Sequence, residues 1–124
     1  MMKTDILVVG SGCSGLYCAL NLPKDWNITI LTKADAESSD SFLAQGGICM
    51  LKDDTDYGSY FEDTMKAGHY ENDRLSVEIM IRSSQAVIRD LVNYGVEFQR
   101  EQNGKFAFTS EGALSNKRIL LHED

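Results

Sequence analysis

An α/β fold is what this 124-residue sequence predicts, and three observations predict it. Ile6-Leu7-Val8-Val9 is a short, wholly apolar, largely β-branched run of the kind that forms a buried parallel strand. Directly after it, Gly10, Gly12 and Gly15 stand in the G-x-G-x-x-G spacing that turns a strand sharply into a helix. A second apolar strand, Asn27 to Thr32, follows at the distance a helical crossover requires. Together they describe a partial Rossmann-like arrangement: an N-terminal βαβ unit over residues 4–32, then packing helices and a small β-hairpin.

Each glycine of the turn has a separate physical task. Gly10 permits the tight bend, Gly12 lets a pyrophosphate approach the backbone, and Gly15 lets the helix lie close on the sheet. The backbone of Ser11, Cys13 and Ser14 opens the helix, whose free N–H groups and partial positive charge suit phosphate oxygens. This stretch therefore predicts a dinucleotide site. The helix carries Cys13, Leu16, Tyr17 and Leu20 on one face and ends before Pro23. Where the usual fingerprint closes strand two with an acidic residue for the ribose hydroxyls, this chain has Thr32-Lys33, with Asp35 and Glu37 beyond. A lysine there can donate to ribose oxygens, which departs from a plain NAD pattern.

Residues 34–56 read as a polar loop enclosing Ser38-Ser39-Asp40-Ser41 and Ala44-Gln45-Gly46-Gly47-Ile48. Loops of that length in a small domain are usually functional or disordered. The glycine pair, set among Phe42, Leu43, Ile48, Met50 and Leu51, predicts ordered backbone running close to something flat. Tyr57, Tyr60, Phe61 and Met65 follow at helical spacing, with Gly68 placed as a C-cap. A longer helix spans Asp73 to Tyr94, capped by Asp73, stopped by Gly95, and striped by Val77, Met80, Ile81, Val87, Ile88, Leu91 and Val92. It is a packing helix without chemistry of its own. Val96–Gln99 and Lys105–Thr109 then form a hairpin across Asn103-Gly104. No later segment offers a third parallel strand, so the chain reads as the front end of something larger.

Composition narrows the function classes. Apolar residues make up 43% and charged residues 25%, which are globular values, and the net charge of −7 without a basic cluster disfavours nucleic acid and anionic membranes as partners. No apolar run reaches the roughly 20 residues of a membrane span, and none resembles a signal-peptide core. Cys13, Cys18 and Cys49 are odd in number and lack metal spacing, so they read as small buried hydrophobes in a reducing cytoplasm. The two histidines, His69 and His122, build no nucleophile–base pair.

By residue 47 the chain resembles the succinate dehydrogenase/fumarate reductase flavoprotein family, and within it the L-aspartate oxidases. The residues that carry the resemblance are Gly10–Gly15, Lys33, Ser41-Phe42-Leu43-Ala44-Gln45-Gly46-Gly47-Ile48, Glu62-Asp63-Thr64 with Ala67-Gly68, and Thr109–Glu111 leading to Arg118-Ile119-Leu120. The resemblance implies that residues 1–124 are the N-terminal part of an FAD-binding domain, truncated before the capping and C-terminal regions. Asp124 matches the first residue of the family's Asp-x-Thr-Gly flavin motif. Residues 11–14 would then hold the FAD pyrophosphate and Lys33 would sit at the adenosine ribose. Asp40, Ser41, Phe42, Leu43, Ala44, Gln45, Gly46 and Gly47 would wrap the ribityl chain and the isoalloxazine ring, so that the first turn and the glycine pair serve opposite ends of one cofactor. N–H groups of Gly46 and Gly47 could approach the ring edge and stabilise negative charge on reduction.

Two positions sort the members of that family. Respiratory members attach FAD to a histidine just before the Ser or Thr of this loop. Asp40 occupies that place here and implies non-covalent FAD. Glu111 matches the acidic residue with which aspartate oxidases orient the substrate's amino group, a carboxylate facing an ammonium. The implied reaction is oxidation of L-aspartate, a dicarboxylate, to iminoaspartate, feeding quinolinate and NAD synthesis, with quinolinate synthase as a candidate partner. The family's catalytic arginine lies outside this stretch, so no catalytic residue is expected in it and no turnover from it alone. An open sheet edge and apolar helix faces make self-association of the chain a further expectation.

There are departures: Ser110, Ala113 and Leu114 replace residues of the family's Arg-Glu-Gly-Gly-His-Ser run, and Leu121 stands where a histidine is common. Three rivals stay open. Asp40 and Glu111 argue against a fumarate reductase or succinate dehydrogenase segment. Lys33 and Gln45-Gly46-Gly47 argue against a generic NAD(P)-dependent oxidoreductase. A truncated, non-catalytic piece is favoured by the missing third strand.

Overall fold

The computed structural model describes residues 3–44, 46–112 and 114–122, in two compact units, Met1–Gln45 and Gly46–Asp124. The expectations placed on Gln45, Ala113 and Asp124 lie outside the described residues. The architecture is mixed α/β, with two two-stranded sheets and no helix long and apolar enough to cross a membrane among the described residues.

In the first unit β1 (Ile6–Val9), α1 (Cys13–Leu20) and β2 (Ile28–Leu31) form the βαβ unit. The strands are parallel, with Ile6 opposite Ile28 and Val9 opposite Leu31. Asp5 sets that register, because its carboxylate accepts from the backbone and side-chain amides of Asn27 at 2.8 and 3.2 Å. The strands are less covered than their apolar letters predict. Ile6 and Val8 are half-buried, whereas Leu7 and Val9 are 54% and 75% exposed. Side chains alternate across a strand, and α1 packs on the side of Val8. The face of α1 differs too. Gly15, Tyr17 and Ala19 are half-buried, while Cys13, Leu16, Cys18 and Leu20 are exposed. Cys13 and Cys18 are therefore free, exposed thiols rather than buried hydrophobes, and Cys49 is half-buried.

The expected polar loop has structure inside it. A 3-10 turn at Ala36–Ser38 leads into α2 (Asp40–Leu43), which Ser39 caps by accepting from Phe42 N–H. Four residues are too few for a periodic apolar signal, so hydrophobic spacing could not show this helix.

The second unit contains β3 (Ile48–Cys49), α3 (Tyr57–Ala67), α4 (Arg74–Asn93) and β4 (Ile119–Leu120). β3 and β4 pair antiparallel, Ile48 with Leu120 and Cys49 with Ile119. Asp73 caps α4 by accepting from Ser76 N–H at 2.7 Å, and Gly95 follows the helix at a φ of +97°. The buried face of α4 is Val77, Ile81, Ser84 and Ile88. Val77 and Ile81 pack with Leu51, Tyr60 and Met65, and Ile88 with Met50, Phe98 and Leu120. Met80, placed on the stripe by its period, is 48% exposed. Ser84 takes a core position instead, donating to Ile81 O at 2.6 Å and accepting from Leu51 N–H at 2.9 Å. The hairpin turns at Gly104, φ +81°, with Glu101 N–H donating to Lys105 O. Its arms also reach β4 and the residues after it: Thr109 bridges Ile119, and Phe98 bridges His122.

Candidate functional site

At Gly10 and Gly15 the turn is built from constraints that only glycine meets. Gly10 has a φ of +113°, where a side chain is strained, and its N–H donates to Leu31 O at 2.8 Å, tying the turn to β2. A Cβ on Gly15 would collide with Gly10 O, so the third glycine is what lets α1 start this close to the strand. Gly12 is the N-cap of α1 and has no side chain with which to cap it. The cap comes from 28 residues away: Ser41 Oγ accepts Cys13 N–H at 2.9 Å. Ser14 and Gly15 N–H find no acceptor among the described residues, leaving amides at the positive end of the helix for an anion.

Ser11 is buried, and its hydroxyl lies 2.9 Å from that of Thr32. Thr32 gives its own proton to Ala34 O at 2.8 Å, so Ser11 is the donor of the pair. That relay joins the turn to the end of β2, and what Ser11 has left for a phosphate is its backbone N–H.

Around these residues lies a groove of about 350 Å³, lined by Gly10–Gly12, Thr32, Lys33, Ser39 and Asp40 among others. The fold thus brings Gly10, Ser11, Gly12, Lys33 and Asp40 to one concavity, with Cys13, Ser14 and Ser41 at the helix end beside Gly12. Lys33 is exposed and has no ion pair among the described residues. Phe42, Leu43 and Ala44 are exposed and do not line the groove. A glycine-floored groove with a helix N-terminus and one unpaired cation fits a pyrophosphate and ribose, so the donor set suits an FAD half-site.

In the second unit Gly46 has a φ of +122°, and a Cβ on Gly47 would meet Ile119 Cγ2 and Leu120 O. The pair therefore has local reasons to be glycine: one unusual backbone conformation and one close approach to β4. Glu111 is exposed beside Gly112, whose φ is +60°.

Sequence reasoning missed the most deeply buried charge. Arg118 is 0% exposed; its Nε donates to Asp56 at 2.9 Å, Nη1 to Asp63 at 2.7 Å and Nη2 to Ser59 at 2.6 Å. Its guanidinium also lies 5.0 Å from the centre of the Tyr60 ring. Burial pushes the Asp56 carboxyl up, but hydrogen bonds from Arg118, Asn116 and Ser59, with the Arg118 charge, hold it below the usual carboxylate range. At Asp63 burial again acts upward and is outweighed by Ser115 and Arg118. Burial lowers the Arg118 pKa, and the two carboxylates raise it further than burial takes it down. The signal available was Asp56, Ser59 and Asp63 at i, i+3 and i+7, one polar face running from the N-cap along α3.

Comparison with known proteins identifies the family. The family described as FAD binding domain matches residues 5–123. An L-aspartate oxidase from Clostridium perfringens is 42% identical over 120 residues, covering 97% of this chain and 27% of that protein. One from Clostridium acetobutylicum is 39% identical over 123 residues, covering 99% and 28%. The chain therefore spans little more than a quarter of the length of these relatives. Among solved structures, E. coli quinol fumarate reductase FrdA superposes with a TM-score of 0.88 at 21% identity, over 96% of this chain and 21% of that one. Mycobacterium smegmatis Sdh1 gives 0.85 at 23%, over 95% and 20%. At those identities the likeness concerns the fold alone. With a glycine-floored groove that suits a pyrophosphate and a match running from residue 5 to residue 123, the chain belongs to the FAD binding domain family.

Proposed function

We propose that this chain supplies the N-terminal part of the flavin site of an enzyme that oxidises L-aspartate to iminoaspartate. The observation that carries the reading is the groove at the β1–α1 turn, in a sequence 42% identical to an L-aspartate oxidase. FAD, when bound, supplies the acceptor for the hydride leaving Cα of the substrate. The backbone of Gly10–Gly12 and the first amides of α1 bind the pyrophosphate, and Lys33 donates to the adenosine ribose. Asp40 cannot form the histidyl bond of respiratory relatives, so the flavin is held without a covalent link. Gly46 and Gly47 offer backbone N–H groups toward the ring, and Glu111 receives the substrate ammonium. Residues 1–124 form part of one FAD-binding domain and do not turn over substrate alone.

The remaining assignments follow from that reaction. Iminoaspartate is consumed by a quinolinate-forming enzyme in NAD synthesis, with quinolinate synthase the partner, and the protein works in the cytoplasm. Exposed Leu7, Val9 and Leu31 support self-association of the isolated chain.

The test uses the full-length protein. It is expected to be yellow, to release its colour to the supernatant on acid precipitation, and to form peroxide with L-aspartate and oxygen. Colour retained in the pellet supports instead a fumarate reductase-type protein with covalent flavin, the rival that Asp40 argues against. A colourless protein that ignores added FAD overturns both.

A further inference from the structure

Glu111 lies on a short span held at both ends. On one side Thr109 and Ile119 exchange both backbone hydrogen bonds, at 2.9 and 3.0 Å. On the other, one oxygen of Asp63 accepts from the N–H of Ser115 at 2.9 Å and from its hydroxyl at 2.7 Å. The same oxygen takes the 2.7 Å ion pair with Arg118, and Asn116 is held by Asp56 and Ser59 at 2.9 and 3.1 Å. All three holders, Asp56, Ser59 and Asp63, stand on one face at the start and along the length of α3. Ser115 is itself exposed, so its two bonds order a loop rather than fill a core. The Glu111 carboxylate has no partner among the described residues, and its neighbour Gly112 stands at φ +60°, a conformation that favours glycine.

We infer that Asp63 is a positioning residue: by fixing Ser115 against α3 it sets where the carboxylate of Glu111 meets the ammonium group of the substrate. The inference rests on the proposed role of Glu111. A carboxylate on an untethered loop would bind an ammonium only after ordering several residues, whereas one strung between two fixed posts has that cost removed in advance.

The experiment uses the full-length, FAD-loaded enzyme with Ser115→Ala, Asp63→Asn, Glu111→Gln and the Glu111→Gln/Ser115→Ala double variant. Three quantities are read: amide hydrogen exchange across residues 110–116, KM for L-aspartate, and the inhibition constant of succinate, which lacks the ammonium. Ser115→Ala is expected to speed exchange and raise the aspartate KM about threefold to tenfold, the weight of one charge-assisted hydrogen bond, leaving succinate inhibition unchanged. Asp63→Asn acts in the same direction, and the double variant is no worse than Glu111→Gln alone. The inference is overturned if Glu111→Gln raises the KM while Ser115→Ala and Asp63→Asn do not. It is equally overturned if those variants weaken aspartate and succinate alike, the mark of general loosening. A Glu111→Gln enzyme with unchanged KM removes the reading of Glu111 and the inference with it, and faster exchange would then record only a structural clamp.

Discussion

Ser41 Oγ accepts the backbone N–H of Cys13 at 2.9 Å and so caps a helix whose own N-cap residue, Gly12, has no side chain. The phosphate turn needs a glycine there for close approach, and the cap that glycine cannot supply is delivered from α2. One hydroxyl thereby ties the order of residues 40–43 to the order of the turn. Ser41→Ala is expected to cost about 1 kcal/mol of stability, the usual loss for a missing N-cap, and to weaken FAD binding in step. Urea unfolding of the apo-protein and FAD titration by fluorescence measure the two effects. Unchanged values in both would show that the cap carries no weight.

The glycines at 12 and 15 are expected to fail in different ways. A Cβ at Gly12 would stand 3.2 Å from Ser41 Oγ, a contact a hydroxyl can relieve by a small rotation. Because that rotation loosens the Ser41 cap on Cys13, Gly12→Ala should cost the apo-protein at most about 1 kcal/mol, while FAD binding falls at least about tenfold because the methyl occupies the path of the pyrophosphate. A Cβ at Gly15 would strike Gly10 O, which is backbone and cannot move aside. Gly15→Ala should lower the stability of the apo-protein itself by about 1–3 kcal/mol. Thermal melts with and without FAD separate the two, and equal melting temperatures for both apo variants would count against the assignment.

Thr32 has a similar double role. It accepts from buried Ser11 and donates to Ala34 O, so Thr32→Val keeps the shape and removes both bonds. The orphaned Ser11 hydroxyl is expected to cost about 1–3 kcal/mol, and adding Ser11→Ala should recover most of it, since removing both partners is cheaper than removing one. Urea titrations of the single and double variants give the comparison. A double variant no more stable than Thr32→Val would show that the Ser11 hydroxyl finds another partner.

How much of this was legible follows from how local each cause is. β1, α1 and β2 were readable because β-branched runs and a glycine spacing act within a few residues, and α4 because Asp73 and Gly95 punctuate a long period. The exposure of Leu7 and Val9 was not, since an apolar run says that a strand can be covered but not that something covers it. The pairing of Ile48-Cys49 with Ile119-Leu120 joins segments some seventy residues apart, and no local pattern specifies such a partner. Arg118 carried only its likeness to a family motif, and its burial depends on the N-cap Asp56 and on Ser59 and Asp63 of α3, some sixty residues earlier, which no local pattern links to it. In the site, Gly10, Gly12 and Gly15 carried their reasons in their spacing. The role of Ser41 as a remote cap did not, because it required knowing that α2 returns to the start of α1.

The Arg118 cluster should govern acid stability. Asp56 and Asp63 both have folded pKa values below their ordinary 3.8, so each contributes stability that is present above about pH 4 and lost as pH falls through the depressed folded values. In the wild type, the urea midpoint is expected to hold between pH 7 and pH 5 and to drop steeply below pH 4. Arg118→Met reverses the sign. With side-chain exposures of 7% and 15%, the two carboxylates would be left charged, close together and short of their cation, at a cost of about 3–5 kcal/mol near neutral pH. Losing the guanidinium raises both carboxyl pKa values and leaves burial, the largest influence on each, opposed only by Asn116, Ser59 and Ser115, so protonation relieves the strain and this variant should gain stability as pH is lowered from 7 to 5. Urea midpoints at pH 7, 6, 5 and 4 for both proteins test the reversal. Parallel pH profiles would mean that Arg118 is held by packing against Tyr60 rather than by its two carboxylates.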